Sequence, residues 1–133
     1  MIAIQGTADP LVPIGGGEVG GRLHLGAGGF TESAQNSVKS WALYDGCLPN
    51  PKESDFVAEF KDGTSVHQIS YTDCKENSEV TQYIVNGMGH RWPSTNSLHV
   101  SQVVDWALGP TSKNIDATKT IWEFFEKHSP QRH

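Results

Sequence analysis

Two β-rich runs in this 133-residue chain each stop at a loop carrying an ionisable side chain, and this repeated junction constrains the fold more than any other feature. The first is MIAIQ (residues 1–5), which breaks into GTADPLVP (6–13); the second is EVTQYIV (79–85), which breaks into NGMGHRWP (86–93). Residues 1–5 are apolar enough to be buried on both faces, as strands inside an α/β sheet are. The two runs can lie as neighbouring strands of one sheet, each ending in one of these loops.

The intervening residues support that layout. Residues 6–30 are rich in Gly and Pro and read as a long loop. Thr31 suits an N-cap for a helix whose face is Ala34, Val38, Trp41, Ala42 and Asp45, and Gly46 suits its stop. A Pro-containing connection follows over 48–55. Residues 56–60 and 65–71 read as a hairpin around the turn Lys61-Asp62-Gly63-Thr64. Residues 73–78 are turn-like, and 93–114 form a second long loop. A final helix starts at Asp116, sets Ala117, Ile121, Phe124 and Phe125 at helical spacing, and ends with Lys127 and His128 in its last turn. The order strand, loop, helix, hairpin, strand, loop, helix implies one α/β domain with a mixed sheet, flanking helices and one β-hairpin.

Composition removes several classes of function. The formal net charge is −5 and the basic residues are scattered, which excludes a nucleic-acid footprint. No apolar run approaches the ~20 residues of a membrane span. Gly15, Gly17 and Gly20 match GxGxxG in form, but two prolines precede them and Gly26, Gly28 and Gly29 follow, so the stretch reads as a loop and not a nucleotide cradle. His24, His67, His99 and His128 show no paired metal-ligand spacing, and no metal or cofactor is expected. Met1 opens directly into a strand pattern without a leader, as an internal methionine or a late-assigned start would. Cys47 and Cys74 lack CxxC spacing. A structural disulfide suits them better than two unrelated buried thiols, and it would place the parent protein in an oxidising compartment, secreted or periplasmic.

Asp9 lies just past the first run, and His90 just past the second. Active sites of open α/β sheets lie outside the carboxyl ends of the strands, where a carboxylate can orient an imidazole. Asp9 before Pro10 is also a common turn opener. His90 follows Gly87 and Gly89, which permit sharp bends and close backbone approach; it reads equally as a general base or as a surface histidine in a glycine turn.

IQGTADPLVPIGGG and VNGMGHRWP resemble two blocks of the polyhydroxybutyrate depolymerase and feruloyl esterase family of α/β-hydrolases. That resemblance implies that Asp9 is the orienting aspartate and His90 the base of a Ser-His-Asp triad. SWALYDGC (40–47) and YTDC (71–74) are similar to family segments joined by a disulfide, which implies a Cys47–Cys74 bond, and Ile115 to Thr118 resemble the start of the family's last helix. The likeness spans nearly the whole chain. It departs at Gln5, where His is usual, and at Arg91, where a small polar residue is common. Trp92 and Pro93 would form an apolar wall for an acyl chain or aromatic ester, or else simply pack against the loop that follows.

No GxSxG occurs in the chain. In this fold the nucleophile elbow precedes the aspartate, so the resemblance implies the C-terminal portion of an α/β-hydrolase domain, with nucleophile and oxyanion donors supplied from elsewhere. Ser94, Ser97 and Ser101 lie near His90 in sequence, but none sits on a strand-to-helix elbow. A sheet without its central strands exposes an edge, which an N-terminal complementing segment or a second copy would cover, unless the chain folds as a small α+β domain of its own. Two functions follow as expectations: part of a carboxylic ester hydrolase, inactive or weakly active as this chain alone, or a non-catalytic module binding an apolar or polymeric ligand.

Overall fold

The computed structural model describes residues 1–21, 28–97 and 101–129. His24, Gly26 and His99 lie outside the described residues. Ile2–Gly6 (β1) pairs in parallel with Val80–Asn86 (β6), with Ile4 beside Tyr83 and Gly6 beside Val85. β6 pairs antiparallel with Ser65–Tyr71 (β5), and β5 with Lys52–Asp55 (β4). The sheet order is β1-β6-β5-β4, so among the described residues β1 and β4 are the edges.

Strand alternation divides the core in two. Val38 and Ala42 of the helix Ala34–Tyr44 (α1) pack with Ile69, Tyr71 and Val80, and Ala3 and Ile84 join them. The other face gathers Val66, Val85, Met88 and Ile115, with Ile4 and Tyr83. The helix Ala117–His128 (α3) lies over this second face against β1. The protein is thus mixed α/β, a mixed sheet flanked by helices, as the order of patterns predicts.

Helix α1 starts later than its predicted cap. Ser33 is the N-cap, accepting a hydrogen bond from the Asn36 amide, while Glu32 accepts from Ser33 N and Asn36 Nδ2. Thr31 instead belongs to Phe30–Thr31 (β3), which pairs with Gly17–Glu18 (β2) inside the expected loop. At the other end Gly46 takes φ 62°, its N–H bonds Leu43 O, and Cys47 N bonds Ala42 O. That double closure satisfies the last carbonyls and needs a left-handed residue, which glycine supplies without strain. It also presents Cys47 to Cys74, and the two form a disulfide.

The hairpin differs from the expectation. Its first arm is β4, residues 52–55 within the expected Pro-containing connection, and residues 56–60 are not a strand. Two packing interactions outweigh β-propensity there. Phe56 turns edge-on to Tyr83 at 5.8 Å, and Phe60 is held at both N–H and C=O by the side chain of Asn114. All four residues of β4 are exposed, and three are charged, which suits an edge strand.

A further helix, Gln102–Leu108 (α2), occupies the second expected loop. Its seven residues are too few for periodicity to stand out, and none is buried. In α3, Ala117 is buried and Phe124 half-buried, but Phe125 is 58% exposed because it lies off the stripe's edge. Trp41 also turns outward. All four tryptophans (Trp41, Trp92, Trp106 and Trp122) are between 50% and 64% exposed.

Candidate functional site

The two junctions converge. β1 and β6 are adjacent and parallel, so residues leaving their carboxyl ends emerge side by side. Ala8 N bonds Met88 O at 2.9 Å, Thr7 N bonds Val85 O at 3.1 Å, and Thr7 Oγ1 accepts from Gly87 N at 2.9 Å. These bonds fix the two loops to each other before any ionisable group is reached.

His90 Nδ1 then lies 2.8 Å from Asp9 Oδ2, across 81 positions of sequence. Asp9 is largely enclosed, with its side chain 12% exposed, while that of His90 is 49% exposed. The other carboxylate oxygen, Oδ1, accepts from Leu11 N at 2.8 Å and Val12 N at 2.9 Å. Asp9 is therefore both a turn-former and an imidazole partner; one oxygen does each. The turn fixes the carboxylate, and the carboxylate fixes the ring. An ionised carboxylate only accepts, so Nδ1 carries the hydrogen and a neutral His90 presents the Nε2 lone pair outward. Among the described residues Asp9 is the ring's one hydrogen-bond partner.

The backbone of His90 is held by α2, which pattern reading missed. His90 N donates to Leu108 O at 2.6 Å and Gly89 N to Pro110 O at 2.8 Å. Arg91 reaches the same segment, donating through Nη1 to Asp105 Oδ1 at 2.9 Å and Gly109 O at 3.3 Å. The contact is close enough to demand glycines. A Cβ on Gly89 would fall 2.1 Å from Leu108 O, and Gly109 takes φ 77° against Gly89 Cα.

A cleft of about 230 Å³ opens beside the pair, lined by Gln5, Gly6, Asp9, His90, Glu32 and Ser37 among others. Gln5 is oriented by Gln82, whose Nε2 donates to Gln5 Oε1 at 2.8 Å. Trp92 and Pro93 do not line this cleft. Pro93 is buried, and its carbonyl accepts from Ala117 N. Trp92 points to a separate groove of about 710 Å³ shared with Ile121, Trp122 and Phe125, and its indole N–H is fixed by Thr118 Oγ1 at 3.1 Å. Ser94 is committed to Asp116, its hydroxyl 3.0 Å from Oδ2; Ser97 N bonds Ser94 O, and Ser101 precedes α2 as its N-cap.

Among the described residues no group of three or more His, Cys, Asp or Glu side chains could hold a metal ion. No described helix is long and apolar enough to cross a membrane. The Cys47–Cys74 disulfide fits an oxidising environment. No family model matches the sequence, and no curated protein matches it.

Proposed function

We propose that this chain supplies the aspartate and histidine of a Ser-His-Asp triad to a carboxylic ester hydrolase, on the C-terminal portion of an α/β-hydrolase domain. The observation that carries this reading is the 2.8 Å contact between Asp9 and His90 Nδ1 at the carboxyl ends of two adjacent parallel strands. In such a triad the serine hydroxyl passes its proton to His90 Nε2 as its oxygen attacks the ester carbonyl. The imidazolium then returns that proton to the departing alcohol, leaving an acyl-serine that water hydrolyses by the same exchange. Asp9 stays ionised throughout and stabilises the imidazolium. The reaction needs no metal or cofactor.

The serine and the oxyanion donors are assigned to a polypeptide beyond these 133 residues, since the chain has no GxSxG. The edge of β1, unpaired among the described residues, suits its docking as a further strand, from an N-terminal complementing segment or a second copy. The disulfide supports a secreted or periplasmic parent. Substrates in keeping with the resemblance are polyhydroxyalkanoate, feruloyl or acetyl esters. A second reading is a binding module without catalysis, favoured by one observation: the aromatic groove of Trp92, Trp122 and Phe125 lies apart from the Asp9–His90 cleft.

The reading frame upstream of Met1 provides the test. An in-frame GxSxG, with a longer chain that hydrolyses a short-chain activated ester and loses about ten-thousandfold or more of that rate on His90→Ala, is the expected result. Turnover in the longer chain that is indifferent to His90→Ala would overturn the assignment, as would a genuine translation start at Met1 with no complementing partner.

A further inference from the structure

On the far edge of the sheet, away from the Asp9–His90 cleft, His67 of β5 stands opposite Asp55 of β4, and Glu53 lies two residues back on the same face of that strand. Phe56 N bonds Val66 O, so in the alternating antiparallel pattern the neighbouring Asp55–His67 pair is a non-hydrogen-bonded one, where side chains approach most closely. His67 Nδ1 is 2.7 Å from Asp55 Oδ1, and Nε2 is 3.2 Å from Glu53 Oε2. Ionised carboxylates only accept hydrogen bonds. Both contacts are therefore bonds only when both ring nitrogens carry hydrogen, which is true of the imidazolium alone.

We propose that His67, Asp55 and Glu53 form a proton-operated clamp that fastens edge strand β4 to the sheet and slackens when the imidazolium gives up a proton. The four residues of β4 are exposed, and among the described residues β5 is its sole strand neighbour. Loss of the Nε2 proton to solvent leaves a lone pair facing Glu53, whose carboxylate turns to water, while the shorter Nδ1–Asp55 bond remains. The hydrogen bond to Asp55 raises the proton affinity of His67, partial burial opposes this, and Glu53 adds to the rise. Among the described residues those two carboxylates are the charged groups acting on the ring, and β6 places the apolar Ile84 beside it. A raised folded-state pKa gives support that is complete below the ordinary histidine value and lost as pH climbs through the raised one. The clamp is thus closed in acid and slack in mild alkali. Slackening bares the outer edge of β5, a ready template for pairing with another chain.

Amide hydrogen exchange, corrected for the intrinsic rate, tests this at about pH 5.5 and about pH 8.5, on either side of histidine titration. Protection of the β4 amides and of Phe56 N–H should fall about fivefold at the higher pH, with β6 unchanged. His67→Gln and Asp55→Asn should each remove that pH dependence, and the His67 ring nitrogens should both be protonated at the lower pH. Equal protection at both values, a pH dependence that survives in both variants, or a neutral His67 ring at the lower pH would overturn the clamp.

Discussion

A methyl group placed on Gly6 would lie 2.2 Å from the carbonyl oxygen of Met88. The last residue of β1 thus touches the backbone leading to His90, and no side chain fits between. Gly6→Ala should cost about 2–3 kcal/mol, since neither backbone can retreat without breaking the Ala8–Met88 bond. Urea unfolding followed by far-ultraviolet circular dichroism checks this. A wild-type midpoint in the variant would mean that the two loops are less tightly joined than described.

Asp9 and His90 set a prediction for the ring itself. Asp9 should hold neutral His90 as the Nδ1–H tautomer, and Asp9→Asn should abolish that bias. Ring nitrogen chemical shifts distinguish the tautomers. In the ester hydrolase proposed above, with its nucleophile supplied, the same change should lower kcat about ten-thousandfold. This chain alone should hydrolyse an activated short-chain ester no faster than its His90→Ala variant.

The disulfide closes a loop between residues 27 positions apart. Constraint of the unfolded chain by a loop of that length is worth about 3.5 kcal/mol. Cys47→Ser with Cys74→Ser should remove about that much, measured by denaturant unfolding. Thiol titration of oxidised, unfolded wild-type protein should find no free thiol.

Asp62 knots the hairpin tip to the segment beyond α2. Its oxygens accept from Thr64 N at 2.9 Å, Thr64 Oγ1 at 2.7 Å, Lys113 N at 2.7 Å and Asn114 Nδ2 at 2.9 Å. Desolvation pushes its pKa up, but bonds from Lys113 and Thr64 outweigh it, and the net direction is down. The sign follows: this support is present above the ordinary aspartate range and lost as pH falls through the lowered folded-state value. Asp62→Ala should cost about 2 kcal/mol at neutral pH and flatten the acid limb of a stability-versus-pH curve.

The sequence discloses a good part of this molecule. β1, β5 and β6 and the two longer helices can be read from apolar runs and the loops that end them, whereas the pairing of Asp9 with His90 rests on those loops together with the family resemblance. Ser33 could have been found as the N-cap, because Asn36 lies three residues on, but Thr31 offers the same chemistry to a reader of propensities. α2 could not: seven residues, none buried, carry no periodic stripe. Residues 56–60 look like a strand because they bear Phe, Val and Phe, but long-range bonds from Asn114 to Phe60 decide their path. Nor does spacing reveal that Gly89 and Gly109 touch, since that contact depends on α2. The path of residues 56–60 and the Gly89–Gly109 contact escape because tertiary contact determines them.

An excited indole reports the polarity around it, and every indole in this protein is half or more in water. Its intrinsic fluorescence should already be red-shifted and open to acrylamide quenching in the native state, with little left to change on denaturation. A flat emission trace during a melt would therefore be no sign of persistent structure. Calorimetry or circular dichroism will register the transition that the tryptophans pass over.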